Sequence, residues 1–192
     1  MVKNFLFLDM DGVLNSDNLI KKWWTEAENN LKDKDKLTER ERIISVKALF
    51  NAEFRYYREL IFPELAALLN RVLEEKDVQI IWSTTWRLLS DYRDLDQARE
   101  MLTKRGINGS RLVGITPDFS YFRMPHNEVR MKEIRNVISN KLFGIKNNSR
   151  IGILDDLDMN ALSDGKNIKM FQTTIDKGLT EEIVNDMLEF YK

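Results

Sequence analysis

The chain has 192 residues with a formal net charge of −1, and 43% of them are hydrophobic. That is enough apolar material for one globular domain with an insertion, and the charge gives no indication of a large basic surface or an acidic tail. With no cysteine and one histidine, the sequence excludes disulfide frameworks, thiolate zinc sites and histidine-rich metal sites. No apolar run is long enough to cross a bilayer, so we expect a soluble, cytoplasmic protein.

The first predicted strand ends in two carboxylates. Residues 5–8 are an unbroken apolar run, typical of a strand buried on both faces, and Asp9, Asp11 and Gly12 follow it. Side chains at positions i and i+2 of a strand share a face, and glycine lets the backbone turn sharply. Because two close carboxylates repel each other, we expect a cation such as Mg²⁺ between Asp9 and Asp11. An Asp-Gly turn that only ends the strand is the alternative.

Residues 16–61 are predicted to form an insertion of two helices. The first helix carries Trp23 and Trp24, which we interpret as packing residues, with substrate stacking as the alternative. Thr38 and Glu41 form a capping-box pattern at the start of the second helix. The apolar stripe of that helix consists of Ile43, Val46, Phe50, Phe54, Tyr57 and Ile61. We expect the insertion to stand over the end of the first strand.

Short apolar strands alternate with amphipathic helices in the rest of the chain. Pro63 is placed in the first turn of a helix, Ser90 or Asp91 is expected to cap the next one, and Gly106 to end it. The further strands are predicted at 78–82, 112–116, 150–154 and 168–171, with a helix through 131–138 and a last one capped by Thr180. This alternation predicts an α/β domain, a Rossmann-like parallel sheet of about five strands flanked by helices.

The predicted core domain comprises residues 1–15 and 62–192. Within it, residues 117–127 form a connection that is long for a structureless loop, which suggests a functional role.

Polar residues follow three of the predicted strands. They are Asp9 and Asp11 after the first, Ser83, Thr84 and Thr85 after the second, and Asp155 and Asp156 after the fourth. Because the strands of a parallel sheet point the same way, these residues share one edge, which is where ligands bind in open α/β sheets. Their combination is more specific than any one of them.

The acidic residues at this edge predict phosphoryl transfer. Asp9 can attack phosphorus and form an aspartyl-phosphate. Asp11 can protonate the leaving alkoxide and then take a proton from the attacking water. Asp155 or Asp156 would complete an oxygen shell around Mg²⁺, although the pair could also cap the turn that follows.

The substrate phosphate needs partners of its own. Ser83 and the backbone N–H groups around Thr84 can bind phosphate oxygens, although both residues could be ordinary caps. Arg130 or Lys132 would clamp the remaining negative charge, with a solvated surface position as the alternative for each. Arg87 either binds substrate or pairs with a neighbouring Asp.

In these motifs the chain resembles the haloacid dehalogenase (HAD) superfamily of phosphohydrolases. The first motif reads as residues 7–15, the second as 80–87 and the fourth as 153–156. The chain is more narrowly similar to the small HAD domains of bacterial and phage proteins, including RNA-repair polyproteins. That similarity rests on residues 83–87, 114–117, 133–134 and 154–156.

The resemblance implies a Mg²⁺-dependent phosphatase with Asp9 as nucleophile and metal ligand, Asp11 as acid and base, and Ser83 as the phosphate-binding hydroxyl. It also implies a metal ligand in the backbone carbonyl of Met10. Asp155 or Asp156 would be a further ligand.

For the third motif, relatives place a Lys or Arg shortly before a Glu-Ile pair. Arg130 fits the spacing, and Lys132 is the commoner residue type. The insertion at 16–61 falls where this superfamily inserts a cap.

The predicted substrate is a phosphorylated metabolite or nucleotide, or a nucleic-acid phosphate end, and we infer no obligate protein partner. The alternative is a non-catalytic phosphate-binding or regulatory module on the same scaffold.

Overall fold

The computed structural model describes residues 2–32, 37–54, 60–89 and 94–192. Its sheet consists of β1 (Asn4–Leu8), β2 (Val78–Trp82), β3 (Leu112–Ile115), β4 (Arg150–Asp155) and β5 (Ile168–Gln172). All neighbouring strands are parallel, and their order across the sheet is β3-β2-β1-β4-β5. This Rossmann-like α/β architecture confirms the predicted fold class and places β1 at the centre of the sheet.

Helices surround the sheet. They are α1 (Asp17–Lys32), α2 (Glu39–Phe54), α3 (Pro63–Glu75), α4 (Leu95–Lys104), α5 (His126–Ser139) and α6 (Glu181–Phe190). In the described part of the chain, no helix combines the length and the apolar character needed to cross a membrane.

The side chains of β1 alternate between two apolar clusters. Leu6 and Leu8 pack into a cluster with side chains of α3, α4 and α6, whereas Phe5 and Phe7 pack into a second cluster with side chains of α5. All four are fully buried, because alternate positions of a strand point to opposite faces and both faces are covered. The unbroken apolar run is therefore what a two-sided core requires.

Tyr191, which follows α6, is bonded to two central strands. Its hydroxyl donates to the Phe5 carbonyl of β1 at 2.7 Å and accepts from the Gly152 N–H of β4 at 3.0 Å. A Cβ atom at Gly152 would lie 2.3 Å from that hydroxyl oxygen, so glycine leaves the room that it needs. Burial raises the pKa of Tyr191, which keeps the hydroxyl protonated as a donor.

Aromatic packing joins α1 to α2. The Trp23 ring lies 6.2 Å from Trp24, 5.1 Å from Phe50 and 5.9 Å from Phe54, measured between ring centroids. Its indole N–H donates to Glu53 at 3.2 Å. Both tryptophans thus pack within the insertion, as the sequence indicated, while a role of residues 16–61 as a cap stays a prediction.

Two local expectations differ from the structure. Ile43, expected on the buried stripe of α2, is 49% exposed. Asp94 caps α4 by accepting from the N–H groups of its first turn, so the predicted cap at Ser90 or Asp91 is wrong. Ser90 and Asp91, like Tyr57 of the predicted stripe, lie outside the described residues.

Other predicted helix ends are present. Thr38 and Glu41 form the reciprocal capping box, with N–H to side-chain distances of 2.8 and 3.3 Å. Pro63 lies in the first turn of α3, Gly106 follows α4 with a φ of +82°, and Thr180 caps α6.

Candidate active site

The carboxyl ends of β1, β2 and β4 bring polar residues to one edge of the sheet. Leu8 lies opposite the last residue of β2 and opposite Leu154 of β4, so Asp9, Ser83 and Asp155 follow in adjacent positions. The Asp9 N–H donates to the Leu154 carbonyl at 3.0 Å, and the Ser83 N–H donates to the Leu8 carbonyl at 2.9 Å. Strand pairing therefore extends into the site and fixes its backbone.

Three carboxylates form a group that can hold a metal ion. Asp9, Asp155 and Asp156 each offer an oxygen, and these oxygens all lie within 4.8 Å of one another. Asp9 and Asp155 are buried, whereas Asp156 is partly exposed. Gly12, with a φ of +66°, makes room for this group, because a Cβ there would lie 2.7 Å from an Asp156 carboxylate oxygen. A set of hard oxygen ligands suits Mg²⁺.

Arg130 reaches this group from α5. Its Nη1 donates to Asp9 Oδ1 at 3.1 Å and to Asp155 Oδ2 at 3.3 Å. The side chain is 2% exposed, and its Nε lies 3.9 Å from Glu133 Oε2 one turn later on the helix. A buried cation is thus held between the candidate nucleophile and a second carboxylate.

Lys132 lies elsewhere. Its Nζ is 3.4 Å from the centroid of the Phe122 ring, and the residue is exposed. Side chains two residues apart on a helix do not face the same way, so Arg130 and Lys132 cannot both point into the site. The geometry favours Arg130 as the cation of the third motif.

Arg87 forms a buried ion pair with Glu133, and the charge of Asp118 also acts on it. Its Nη2 lies 2.5 Å from Glu133 Oε1 and 3.4 Å from the Pro117 carbonyl, and its Nη1 donates to the Thr84 carbonyl. The Glu133 carboxylate also accepts from the Phe119 N–H at 3.0 Å. Arg87 therefore connects the turn after β2 to α5, instead of presenting its guanidinium to a substrate.

Asp11 is more exposed than Asp9 and has two side-chain donors. Asn15 Nδ2 donates to Asp11 Oδ1, and Trp86 Nε1 donates to Asp11 Oδ2, both at 3.0 Å. The metal-binding group found among the described residues does not include the Asp11 carboxylate. These two hydrogen bonds engage both oxygens of Asp11, and its role as a metal ligand beside Asp9 stays a prediction.

The Met10 carbonyl, expected to bind the metal, is used within the turn. It accepts the N–H groups of Val13 at 3.3 Å and Leu14 at 2.9 Å, and the Met10 side chain is buried in the core. These bonds stabilise the turn around Gly12. A role of this carbonyl as a metal ligand stays a prediction.

The first two hydroxyls after β2 differ in their partners. The Ser83 Oγ is buried and has no hydrogen-bond partner among the described residues. The Thr84 hydroxyl accepts from the Trp86 N–H at 3.3 Å and bonds to Asp9. A buried hydroxyl without a partner costs free energy, and a ligand oxygen would remove that cost. Ser83 is accordingly the better candidate for binding phosphate.

A family model for the HAD domain in Swiss Army Knife RNA repair proteins matches residues 5–184. This chain belongs to that family. The HAD domain therefore has a phosphohydrolase-type scaffold, and the related RNA-repair domains agree with the narrower resemblance of the sequence. No curated protein matches the chain.

Burial governs the electrostatics of the HAD domain's site. It raises the pKa of Asp9 to about 8 and that of Asp155 to about 6, although the Arg130 guanidinium opposes both shifts. The pKa of Asp156 is raised too, first by burial and then by charges that include Asp11. Each shift reflects the cost of placing negative charge in a dehydrated space.

The charges at the site are not balanced by protein groups alone. Four carboxylates, those of Asp9, Asp155, Asp156 and Glu133, surround the guanidinium groups of Arg130 and Arg87. Two negative charges remain when all of these groups are ionised. The donor set and its charge thus both fit a divalent cation, in keeping with the general use of Mg²⁺ by HAD domains.

Sequence reasoning did not assign roles to Asn15, Trp86 or Glu133. Asn15 and Trp86 lie inside the quoted motifs, and their side chains can donate hydrogen bonds to a carboxylate. Their position and donor groups could have indicated a contact with Asp11. Glu133 was part of the Glu-Ile pair, but only the fold shows that it joins two arginines.

Proposed function

We propose that this HAD domain is a Mg²⁺-dependent phosphatase that hydrolyses a phosphomonoester through an aspartyl-phosphate on Asp9. The observation that carries the proposal is the buried Arg130 guanidinium, held between Asp9 and Asp155 at the strand edge. A cation placed there stabilises the ionised nucleophile and the incoming phosphate.

Asp9, Asp155 and Asp156 would hold the metal ion. When bound, Mg²⁺ supplies positive charge that offsets the carboxylates and the phosphate of the substrate. Ser83 would donate its unpartnered hydroxyl to a phosphate oxygen. Strand pairing and the Arg130 bonds keep these groups in place before substrate arrives.

The first step forms a bond between an Asp9 carboxylate oxygen and phosphorus and breaks the bond from phosphorus to the leaving oxygen. Asp11 gives its proton to that oxygen. In the second step Asp11 takes a proton from water, the water oxygen attacks phosphorus, and inorganic phosphate leaves Asp9 ionised. Asn15 and Trp86 would orient Asp11 for both transfers through their hydrogen bonds.

The family description favours a nucleic-acid phosphate end over a small metabolite as the substrate. The net charge of −1 is compatible with this choice if only the end of the strand is bound, since long tracks need extended cationic grooves. A cytoplasmic location is part of the same proposal.

The test is hydrolysis of p-nitrophenyl phosphate and of phosphorylated oligonucleotides, with Mg²⁺ and with a chelator. We expect Asp9→Asn to lower kcat by at least roughly 10³-fold, because the nucleophile is lost. Asp176→Asn, at an exposed aspartate, is the matched control and is expected to keep normal turnover.

Near-normal turnover of Asp9→Asn would refute the mechanism. Absence of any turnover, together with tight binding of a phosphate analogue, would instead identify a non-catalytic phosphate-binding module on this scaffold.

A further inference from the structure

Three aromatic residues of the loop between β3 and α5 form a cluster at the surface. We call Phe119, Tyr121 and Phe122 the aromatic ridge. The ring centroids of Tyr121 and Phe122 are 4.4 Å apart, and that of Phe119 lies 6.2 and 5.9 Å from them. Tyr121 is 70% exposed. Clustered rings in contact with water, unlike single ones, indicate a binding surface.

Cations accompany the rings. Lys132 lies over the Phe122 ring at 3.4 Å and is 5.9 Å from the Phe119 ring. With Arg135 it lines a groove of about 390 Å³ beside the ridge. Lys132 forms no ion pair with any carboxylate in the described ranges, so its charge is available to an anion.

Aromatic rings next to cations are the means by which proteins bind single-stranded nucleic acid. Bases stack on the rings, and the cations contact the phosphates between them. An apolar protein partner would use the rings but leave the Lys132 charge unmatched. The combination therefore favours a polyanion with aromatic groups.

The ridge is connected to the candidate active site through α5. The Phe119 N–H donates to Glu133, Glu133 lies 3.9 Å from Arg130, and Arg130 donates to Asp9 at 3.1 Å. Arg130 and Glu133 face inward on this helix, whereas Lys132 faces the ridge. One helix thus positions both the reacting carboxylate and the ridge.

We propose that the aromatic ridge and Lys132 bind the nucleotides next to the terminal phosphate of a single-stranded nucleic acid. This inference rests on the proposed phosphatase function, since it assigns the rest of the substrate whose phosphate reaches Asp9. The cluster of rings is small, so it holds the last nucleotides of a strand and not a long track.

The test measures binding of a fluorescent hexaribonucleotide without a terminal phosphate, by anisotropy in the presence of Mg²⁺. This probe resembles the product and binds without turnover. We expect Tyr121→Ala to weaken binding roughly 5- to 150-fold, as loss of one stacked base does. Tyr121→Phe keeps the ring and is expected to retain affinity, and Ile44→Ala, at an exposed position of α2, is the control.

The Lys132 contact has its own signature. We expect Lys132→Gln to reduce the slope of log affinity against log salt by about 0.7, the value for one phosphate contact to a single strand. Lys166→Gln, at an exposed lysine before β5, is expected to leave the slope unchanged. A deoxyribonucleotide of the same sequence shows whether the 2′-hydroxyl contributes.

Hydrolysis separates this inference from the proposed function. We expect Tyr121→Ala to lower kcat/KM more for a phosphorylated hexanucleotide than for glycerol 3-phosphate, which has no base to stack. If Tyr121→Ala loses oligonucleotide binding and the wild type hydrolyses no phosphoester, the proposal for the aromatic ridge is supported and the proposed phosphatase function is refuted. Two results would refute the role of the aromatic ridge and leave the phosphatase proposal intact. In both, phosphoesters are hydrolysed. Either Tyr121→Ala binds the oligonucleotide as tightly as the wild type, or neither protein binds it.

Discussion

The sheet edge at Asp9 and the aromatic ridge lie beside the same helix but have opposite physical character. At the edge, Asp9, Asp155 and Arg130 are buried, and the guanidinium of Arg130 bonds both carboxylates. At the ridge, rings are in contact with water and Lys132 is the cation beside them. This contrast is what the two proposals require, since bond breaking needs fixed, dehydrated charge, whereas binding of a flexible strand tolerates exposed and adaptable groups.

Among the partners of the Asp9 and Asp11 carboxylates, Arg130 of α5 is expected to give the largest effect on turnover. Arg130→Gln leaves Asp9 and Asp155 together without their guanidinium, so we expect kcat for glycerol 3-phosphate to fall roughly 10²- to 10³-fold. Steady-state kinetics at saturating Mg²⁺ measure it, and circular dichroism checks that the variant folds. Lys146→Gln, before β4 at the opposite edge of the sheet, is the control. An Arg130→Gln variant with full activity would show that the buried cation is only structural.

A smaller effect is expected from the donor to Asp11. Trp86→Phe keeps an aromatic ring but removes the N–H that bonds Asp11 Oδ2, so Asp11 is less well oriented to protonate the leaving oxygen. We expect a decrease in kcat of roughly 10-fold for alkyl phosphates. The decrease should be smaller for p-nitrophenyl phosphate, whose leaving group needs little protonation. Equal losses for both substrates would show that Trp86 acts only through the fold.

The smallest expected effect concerns stability without metal. Burial raises the folded-state pKa of Asp9 to about 8 from an ordinary value near 3.8, so the folded protein binds the proton more tightly. Stability from this group is greatest below about pH 4 and is lost as pH rises towards 8. In chelator at pH 8, we expect Asp9→Asn to raise Tm by about 2–4 °C, and at pH 5 to change it less.

Differential scanning fluorimetry measures this shift, and added Mg²⁺ is the control. It should stabilise the wild type more than Asp9→Asn, because the variant lacks one of the carboxylates. A lower Tm for Asp9→Asn in chelator at pH 8 would show that the Arg130 bond outweighs the cost of burying the Asp9 charge.

The strands and the shared polar edge could be predicted because both depend on local patterns. A short apolar run such as residues 5–8 predicts a buried strand. Parallel pairing then places the residues that follow each strand at the same edge of the sheet. The fold class, the shared edge of the polar clusters and the family resemblance follow from those patterns.

Side-chain direction could not be predicted in the same way. Arg130 and Lys132 are two residues apart, and only the rotation of α5 against the sheet decides which of them faces Asp9. The role of Arg87 depends likewise on a distant partner, Glu133. Sequence spacing carries no record of these long-range contacts.

The position of β1 has a consequence for how the chain folds. This first strand pairs with β2 and β4, and its Phe5 carbonyl accepts from Tyr191, 186 positions later. Because such distant segments must meet before the centre of the sheet is satisfied, folding has a high contact order and is expected to be slow. During synthesis this apolar strand lacks its β4 neighbour and the Tyr191 bond until most of the domain has left the ribosome, a period in which chaperones and aggregation compete for it.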